Sequence, residues 1–356
     1  MTILVVKTLS QCYCNMHPFW DKQPVPRDGT GSGEIEDTRE TSKKTTKLPG
    51  GFVWSSCSLK EACTFLNAYY VGNDTFRMGY TTDNLKWSVN DSAAIRKQDT
   101  NELVGYISSA PVTMNVEAKS VDMVQISYLC VHGDYRNMNF APLLITEIKR
   151  RANRKDVWQA IYTAQTKIPT PITKAHYWHR FLNVKRLVQT GFHQTNRLRE
   201  SYYEVRGPCK CLWRKMTPED VPKVTRLLQE HMSKFKVAPV IDETYVKTWL
   251  LPIHSYVNDA TDDFISFYDV LYDRVDGTDS VKQVYKFHIV GDVYNDAFLL
   301  AKNLGYDVFN ILDVGVNTES LEKLKFLKGN GFVYYYLWNW NLSERVEPKE
   351  INHIIP

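Results

Sequence analysis

No run of apolar residues in this sequence of 356 residues approaches the ~18 that a membrane-spanning helix requires. A transmembrane segment is therefore not expected. Charge of one sign is equally scarce. Forty-four Lys and Arg face 40 Asp and Glu, a net charge of +4, without the concentrated basic face of a nucleic-acid binder. Such a balance leaves room only for a local patch toward an anionic ligand. The start, Met1-Thr2-Ile3-Leu4-Val5-Val6-Lys7, is too short and too poorly flanked for a signal peptide. Thr2 also stands where N-terminal acylation needs Gly. The expected compartment is the cytoplasm.

Cysteine is sparse and odd in number. Cys12, Cys14, Cys57, Cys63, Cys130, Cys209 and Cys211 include several in apolar runs such as Tyr128-Leu129-Cys130-Val131, which fits reduced thiols rather than a disulfide framework. Cys12-x-Cys14 and Cys209-x-Cys211 are spaced more tightly than the pairs of structural zinc sites, so no metal is expected.

What is present is the balance of a globular protein, 43% hydrophobic and 24% charged, at a length that accommodates two domains. Aromatic residues reach 13%, which favours large, specific grooves. Residues 28–50 carry only Ile35 and Leu48 as large apolar side chains and read as a mobile loop. The preceding Phe19-Trp20-Asp21-Lys22-Gln23-Pro24-Val25-Pro26 reads as an extended segment packed on a surface, since its prolines forbid helix.

Beyond that loop one order of elements appears twice. Ser58-Leu59-Lys60-Glu61 is a capping box opening a helix through Leu66, and Thr217-Pro218-Glu219-Asp220 opens another over Val221 to Met232. β-rich runs follow, Leu103 to Val116 and Val124 to Val131 in the first half, Phe264 to Tyr272 and Val284 to Val290 in the second. Each half then offers a helix (Ala141 to Arg151; Tyr294 to Asn303) and a strand (Val157 to Thr163; Val308 to Leu312). This suggests duplication of one α/β unit, with a boundary at Arg206-Gly207-Pro208 that separates residues 1–205 from 206–356.

The junction from Val131 to Leu144 is the most informative. A strand ends, Arg136-Asn137-Met138-Asn139 turns, and a helix starts at Ala141-Pro142. Unpaired N–H groups at a helix start cradle a pyrophosphate, and Arg136 adds a charged contact; an ordinary surface turn has the same composition. His176-x-x-His179 can be read as a metal pair on a helix, but no third ligand stands nearby. Gly329-Asn330-Gly331 is good turn chemistry. Tyr334 to Trp338 reads as a core strand.

Several motifs then match one family in order. Arg136 followed by Ala141 resembles the acyl-CoA turn of GCN5-related N-acetyltransferases. Phe19-Trp20-Asp21-Lys22-Gln23-Pro24-Val25-Pro26 resembles the signature of N-myristoyltransferases. So do Leu129-Cys130-Val131-His132, Tyr162-Thr163-Ala164, Tyr177-Trp178-His179-Arg180, Asp307-Val308-Phe309-Asn310 and Tyr335-Tyr336-Leu337-Trp338-Asn339-Trp340. The similarity runs from about residue 17 to 340.

The resemblance implies an α/β fold of two acetyltransferase-like units sharing a saddle-shaped mixed sheet, the first binding acyl-CoA and the second forming the peptide groove. It implies transfer of myristate from myristoyl-CoA, as co-substrate, to the N-terminal glycine amine of a peptide or protein. Phe19, Trp20, Tyr128 to Val131 (with Cys130) and the turn through Arg136, Asn137, Met138, Asn139, Phe140 and Ala141 would contact the acyl-CoA. Backbone N–H groups of Tyr128 and Leu129 would form the oxyanion hole. Phe76, Tyr80, Tyr177, His179, Ser266 and Asn310 would contact peptide, and Thr163 would orient the amine. A glycine amine, with a pKa near ~7.7–8.0, arrives mostly protonated, so a base is needed. The resemblance assigns that role to the α-carboxylate of Pro356, and the apolar tail Ile354-Ile355-Pro356 has reason to be buried. No prosthetic group or metal is implied, and a monomer is expected.

The chain departs from the family's pattern in places. Met138 and Asn139 replace a basic pair, Ser127 an Asn and Tyr128 a Phe. Gly72-Asn73-Asp74 shortens an acidic run, and Asn330 replaces an Asp. Two other readings share these residues, a catalytically silent binder of acyl-CoA or glycine peptides and an acyltransferase for another chain length or for lysine.

Overall fold

The computed structural model describes residues 18–27, 31–193, 199–205 and 213–356. The first half runs β1 (Gly33–Glu34), β2 (Phe52–Ser55), α1 (Leu59–Tyr69), β3 (Phe76–Gly79), α2 (Thr82–Ser88), β4 (Asp91–Lys97), β5 (Leu103–Val116), β6 (Lys119–Val131), α3 (Phe140–Asn153), β7 (Gln159–Ala164), β8 (Thr173–Phe181) and α4 (Val184–Gln189). A short α5 (Glu200–Tyr203) leads to β9 (Trp213–Lys215), α6 (Val221–Met232), β10 (Val237–Pro239), α7 (Glu243–Trp249), β11 (His254–Asn258) and β12 (Phe264–Arg274). The chain ends through β13 (Ser280–Val290), α8 (Tyr294–Asn303), β14 (Val308–Leu312), α9 (Thr318–Lys323), β15 (Leu327–Trp338) and β16 (Trp340–Asn341).

One mixed sheet organises both halves, in the order β2-β4-β5-β6-β7-β15-β8-β14-β13-β12-β11-β9 among the described residues. The order mirrors about its centre. Each half contributes antiparallel strands and then one parallel pair, β6 with β7 and β13 with β14. The last strand of each half then crosses over. β8 pairs with β14, β15 pairs with β7, and the two pair with each other. Sequence halves are thus not separate bodies. A single core gathers Met114 and Ile161 with Leu228, Phe264 and Tyr335. The expected boundary at Arg206-Gly207-Pro208 lies outside the described residues, as do Cys12, Cys14, Cys209 and Cys211.

Several elements keep the ends their patterns predict, among them β5, α6, α8 and β14. Others differ. Ser58 Oγ accepts the Glu61 N–H, and α1 continues to Tyr69. Trp20–Lys22 form a 3-10 turn, and Pro24-Val25-Pro26 is buried rather than laid on the surface. Pro24 O accepts the Asn339 N–H, which ties this segment to the end of β15. In the 28–50 segment, residues 31–50 are strapped rather than loose. β1 pairs with β16, the Glu36 N–H donates to Asn339 Oδ1 at 2.7 Å, and the Thr46 N–H donates to Glu147. Gly329 to Gly331 make no turn between elements; they lie in a bulge of β15 between Lys328 and Phe332.

Candidate functional site

Strand β6 is where the sheet opens. It pairs with β7 from Met123↔Gln159 to Ile126↔Tyr162 and no further. β6 continues to Val131, while Thr163 and Ala164 keep only their partners on the other edge, Tyr335 and Tyr334 of β15. On its other side β6 bulges. Tyr106 faces Cys130 and Ser108 faces Ser127, so Tyr128 and Leu129 together oppose Ile107. Tyr128 takes a left-handed backbone, φ 57°, a conformation costly for a large side chain. Burial among aromatic rings and a 2.9 Å bond between its hydroxyl and Ser88 hold it there. A bulge of this kind re-aims backbone groups away from the ladder. Ile107, the residue opposite, has no polar side chain to fill the gap.

The second half carries the counterpart. Ile265 faces Ile289 and Phe267 faces Lys286, so Phe287 and His288 oppose Ser266. Here the gap is plugged. Ser266 Oγ accepts the His288 N–H at 2.9 Å and donates to its carbonyl at 3.1 Å. Ser266 is fully buried in this bond pair and off the cavity wall.

The opening between β6 and β7 leads into a cavity of about 940 Å³ shared by both halves, at the upper end of small-molecule sites. Trp20, Ile126, Ile145, Ala160, Tyr162 and Trp338 make one apolar arm, with Trp20 stacked on Tyr162 at 6.0 Å. Tyr128 to Val131 and Thr163 to Thr166 form the middle, and Tyr80, Tyr177, His179, Tyr272 and Tyr285 the other arm. Ile355 and Pro356 reach the wall from the C-terminus. No Asp or Glu side chain lines this cavity among the described residues.

The tail reaches it by threading the core. Ile351, Asn352, His353 and Ile354 are buried. The Asn352 N–H donates to Val237 O at 2.9 Å, and the Tyr335 hydroxyl donates to His353 O at 2.7 Å. Each buried Ile contributes about 1.5–3 kcal/mol to holding the tail.

The turn after β6 is a 3-10 helix, Gly133–Met138, followed by Asn139 in a left-handed conformation at the start of α3. The Asn139 side chain caps nothing, so the first N–H groups of α3 point outward without an intrahelical partner. Arg136 lines the cavity and is braced by Tyr69 O at 3.1 Å and Val131 O at 3.4 Å. Asn137, Met138, Asn139 and Ala141 lie beside the mouth rather than on the cavity wall, and Phe140 is wholly core. Phe19 packs edge-on against Trp20 at 5.1 Å.

His176 and His179 lie on strand β8, not on a helix, so residues three apart face opposite sides and cannot share a metal. His179 lines the cavity, and its Nδ1 stands 2.6 Å from Asn310 Oδ1. Asn310 is itself buried behind the wall, as its amide donates to Gln283 Oε1 at 2.6 Å. Phe76 is likewise one layer back, stacked on Tyr272 at 5.1 Å. Both therefore support wall residues and do not line the cavity. Gly329 is fixed by His179, because a Cβ there would overlap the imidazole.

Cys130 is a buried thiol. Burial pushes its thiol up to about 12, with Arg136 opposing only weakly. Residues not expected to matter also line the cavity, namely Gln283, Tyr285, Tyr268 and Lys149. The first two had a signal in the sequence, since Gln283 and Tyr285 share one strand face at a spacing of two.

Comparison with known proteins agrees across the whole chain. Residues 34–175 match the model for the N-terminal domain of myristoyl-CoA:protein N-myristoyltransferase, and residues 193–354 the model for its C-terminal domain. Glycylpeptide N-tetradecanoyltransferase 2 of Danio rerio is 36% identical over 98% of this chain and 79% of its own length. Glycylpeptide N-tetradecanoyltransferase 1 of Arabidopsis thaliana is 34% identical over 95% and 89%. The crystal structure of Saccharomyces cerevisiae N-myristoyltransferase with bound myristoyl-CoA superposes with a TM-score of 0.87 at 27% identity, covering 96% of this chain and all of that one.

Proposed function

The chain belongs to the myristoyl-CoA:protein N-myristoyltransferase family, and we propose how its own residues perform that family's reaction. It binds myristoyl-CoA and transfers the myristoyl group to the N-terminal glycine of a peptide or protein. Residues 1–205 hold the acyl-CoA and residues 206–356 complete the peptide side. The thioester enters between β6 and β7, where the two strands part. The pyrophosphate rests on the start of α3 with Arg136 beside it. Backbone N–H groups of Tyr128 and Leu129, freed by the bulge, stabilise the oxyanion. Each such donor is commonly worth about 3–4 kcal/mol of barrier.

The α-carboxylate of Pro356 removes the proton from the glycine ammonium, and Thr163 holds the amine in line. The amine then attacks the thioester directly, and the thiol of CoA leaves. The absence of any Asp or Glu on the described cavity wall supports this choice of base. Cys130, held as a thiol, supports the direct route over an acyl-enzyme. The cavity is completed within one chain, which supports a monomer. The free thiols Cys57, Cys63 and Cys130 support a reducing, cytoplasmic setting.

One observation carries the reading: the bulge at Tyr128 and the C-terminal tail meet in the same cavity. The test is transfer from myristoyl-CoA to a glycine-first octapeptide, read by mass spectrometry, with an alanine-first control. Amidation of Pro356 should abolish turnover and leave myristoyl-CoA binding intact. Full turnover in the amidated protein would remove the carboxylate from the mechanism.

A further inference from the structure

Strand β8 has a second face. Tyr177, His179 and Phe181 point into the catalytic cavity, while Arg180 points the other way into a smaller cavity of about 290 Å³. Arg180 is only 3% exposed. Its Nη1 donates to Phe181 O at 2.6 Å and Tyr203 O at 2.8 Å. The guanidinium lies near the rings of Tyr203 and Phe298, 5.7 and 5.3 Å from their centroids. Its Nε is buried with no partner, and among the described residues no carboxylate pairs with it. Burial alone draws its pKa down to about 10. A buried cation without a counter-charge or full hydrogen bonding is costly, and among the described residues no carboxylate offsets that cost.

The rest of the wall is complementary to the same kind of ligand. Lys323 and Lys325 line it from the end of α9 and Ser201 from α5. Asn295 belongs to the first turn of α8, a helix of ten residues whose N-cap, Val293, supplies no side-chain cap, so that turn adds partial positive charge. The acid of that turn, Asp296, accepts from Trp213 Nε1. Glu204 is the one acid among the described lining residues, and it has a partner of its own.

We propose that this pocket behind β8 binds a compact phosphate-class oxyanion, held by Arg180 and the two lysines. It is separate from the acyl-CoA site, and it abuts a strand that also shapes the peptide arm. Inorganic phosphate and O-phosphoserine, titrated by calorimetry at constant ionic strength, would test it. Saturating myristoyl-CoA keeps the catalytic phosphate site filled. One saturable event is expected, weakened about tenfold or more in a Lys323→Ala/Lys325→Ala variant and again in Arg180→Lys. The lysines are peripheral, so that variant should fold even where an Arg180 variant does not. Tighter binding of phosphate identifies a free ion as the ligand, and tighter binding of phosphoserine identifies a phosphomonoester end group. Absence of saturable binding up to about 20 mM, or binding indifferent to the lysine variant, would overturn the proposal.

Discussion

Ser266 Oγ accepts the buried N–H of His288 at 2.9 Å and fills the bulge between β12 and β13. The corresponding bulge in the first half opposes Ile107, which offers no such acceptor. Ser266→Ala should therefore cost about 1–3 kcal/mol, the penalty of an unpaired buried donor. The Michaelis constant for glycine peptide should stay unchanged. A large rise in that constant without loss of stability would return Ser266 to the peptide site.

His179 is poised as an acceptor. Because the Asn310 amide donates to Gln283, its oxygen faces His179 Nδ1, which must carry the proton and leave Nε2, beside Gly329, as the acceptor. Burial lowers the imidazole pKa, and the Asn310 bond opposes that only in part. Asn310→Asp sets a carboxylate beside Nδ1 and should raise the pKa by about 1–3 units. The acid limb of peptide binding would move up with it. A histidine NMR titration identical to that of the unaltered protein would refute this arrangement.

The tail is held by Tyr335. Its hydroxyl is the hydrogen-bond donor to His353 O, three residues before Pro356. Tyr335→Phe leaves that carbonyl unpaired in the core and should loosen the last residues, for about 1–3 kcal/mol. Turnover should fall while myristoyl-CoA binding holds, and hydrogen exchange should rise in residues 351–356. Equal losses of turnover and binding would mean a general defect instead.

Acid should weaken the same region. Burial draws the His353 pKa from 6.5 to about 4, so the folded protein keeps this ring neutral while the unfolded chain takes up a proton. Stability then rises with pH wherever the unfolded state binds more protons. The contribution is lost progressively as pH falls from about 6.5 to about 4. In denaturant melts His353→Gln should flatten that part of the pH profile. An unchanged slope would show that His353 does not titrate on unfolding.

The sequence by itself determined the repeated elements and the turn that leads into α3. A capping box marked the start of α6, a β-rich run marked β5, and the polar turn before Ala141-Pro142 marked the start of α3. These are local signals, written within a few residues of where they act. Only the tertiary structure decided how the halves interlock. The exchange of β8 and β15 depends on pairing between strands more than about 120 residues apart in the chain, and no local pattern encodes a partner. The reading of His176 and His179 as a helical pair failed for that reason, since both lie on an exchanged strand. Phe76, Ser266 and Asn310 stand one layer behind the wall because a strand's alternation fixes which side a residue faces, while packing decides whether that side is cavity or core. The left-handed turn at Tyr128 carries no glycine to announce it. It is held by Ser88, Tyr70 and Tyr80, which meet it only once the sheet has formed.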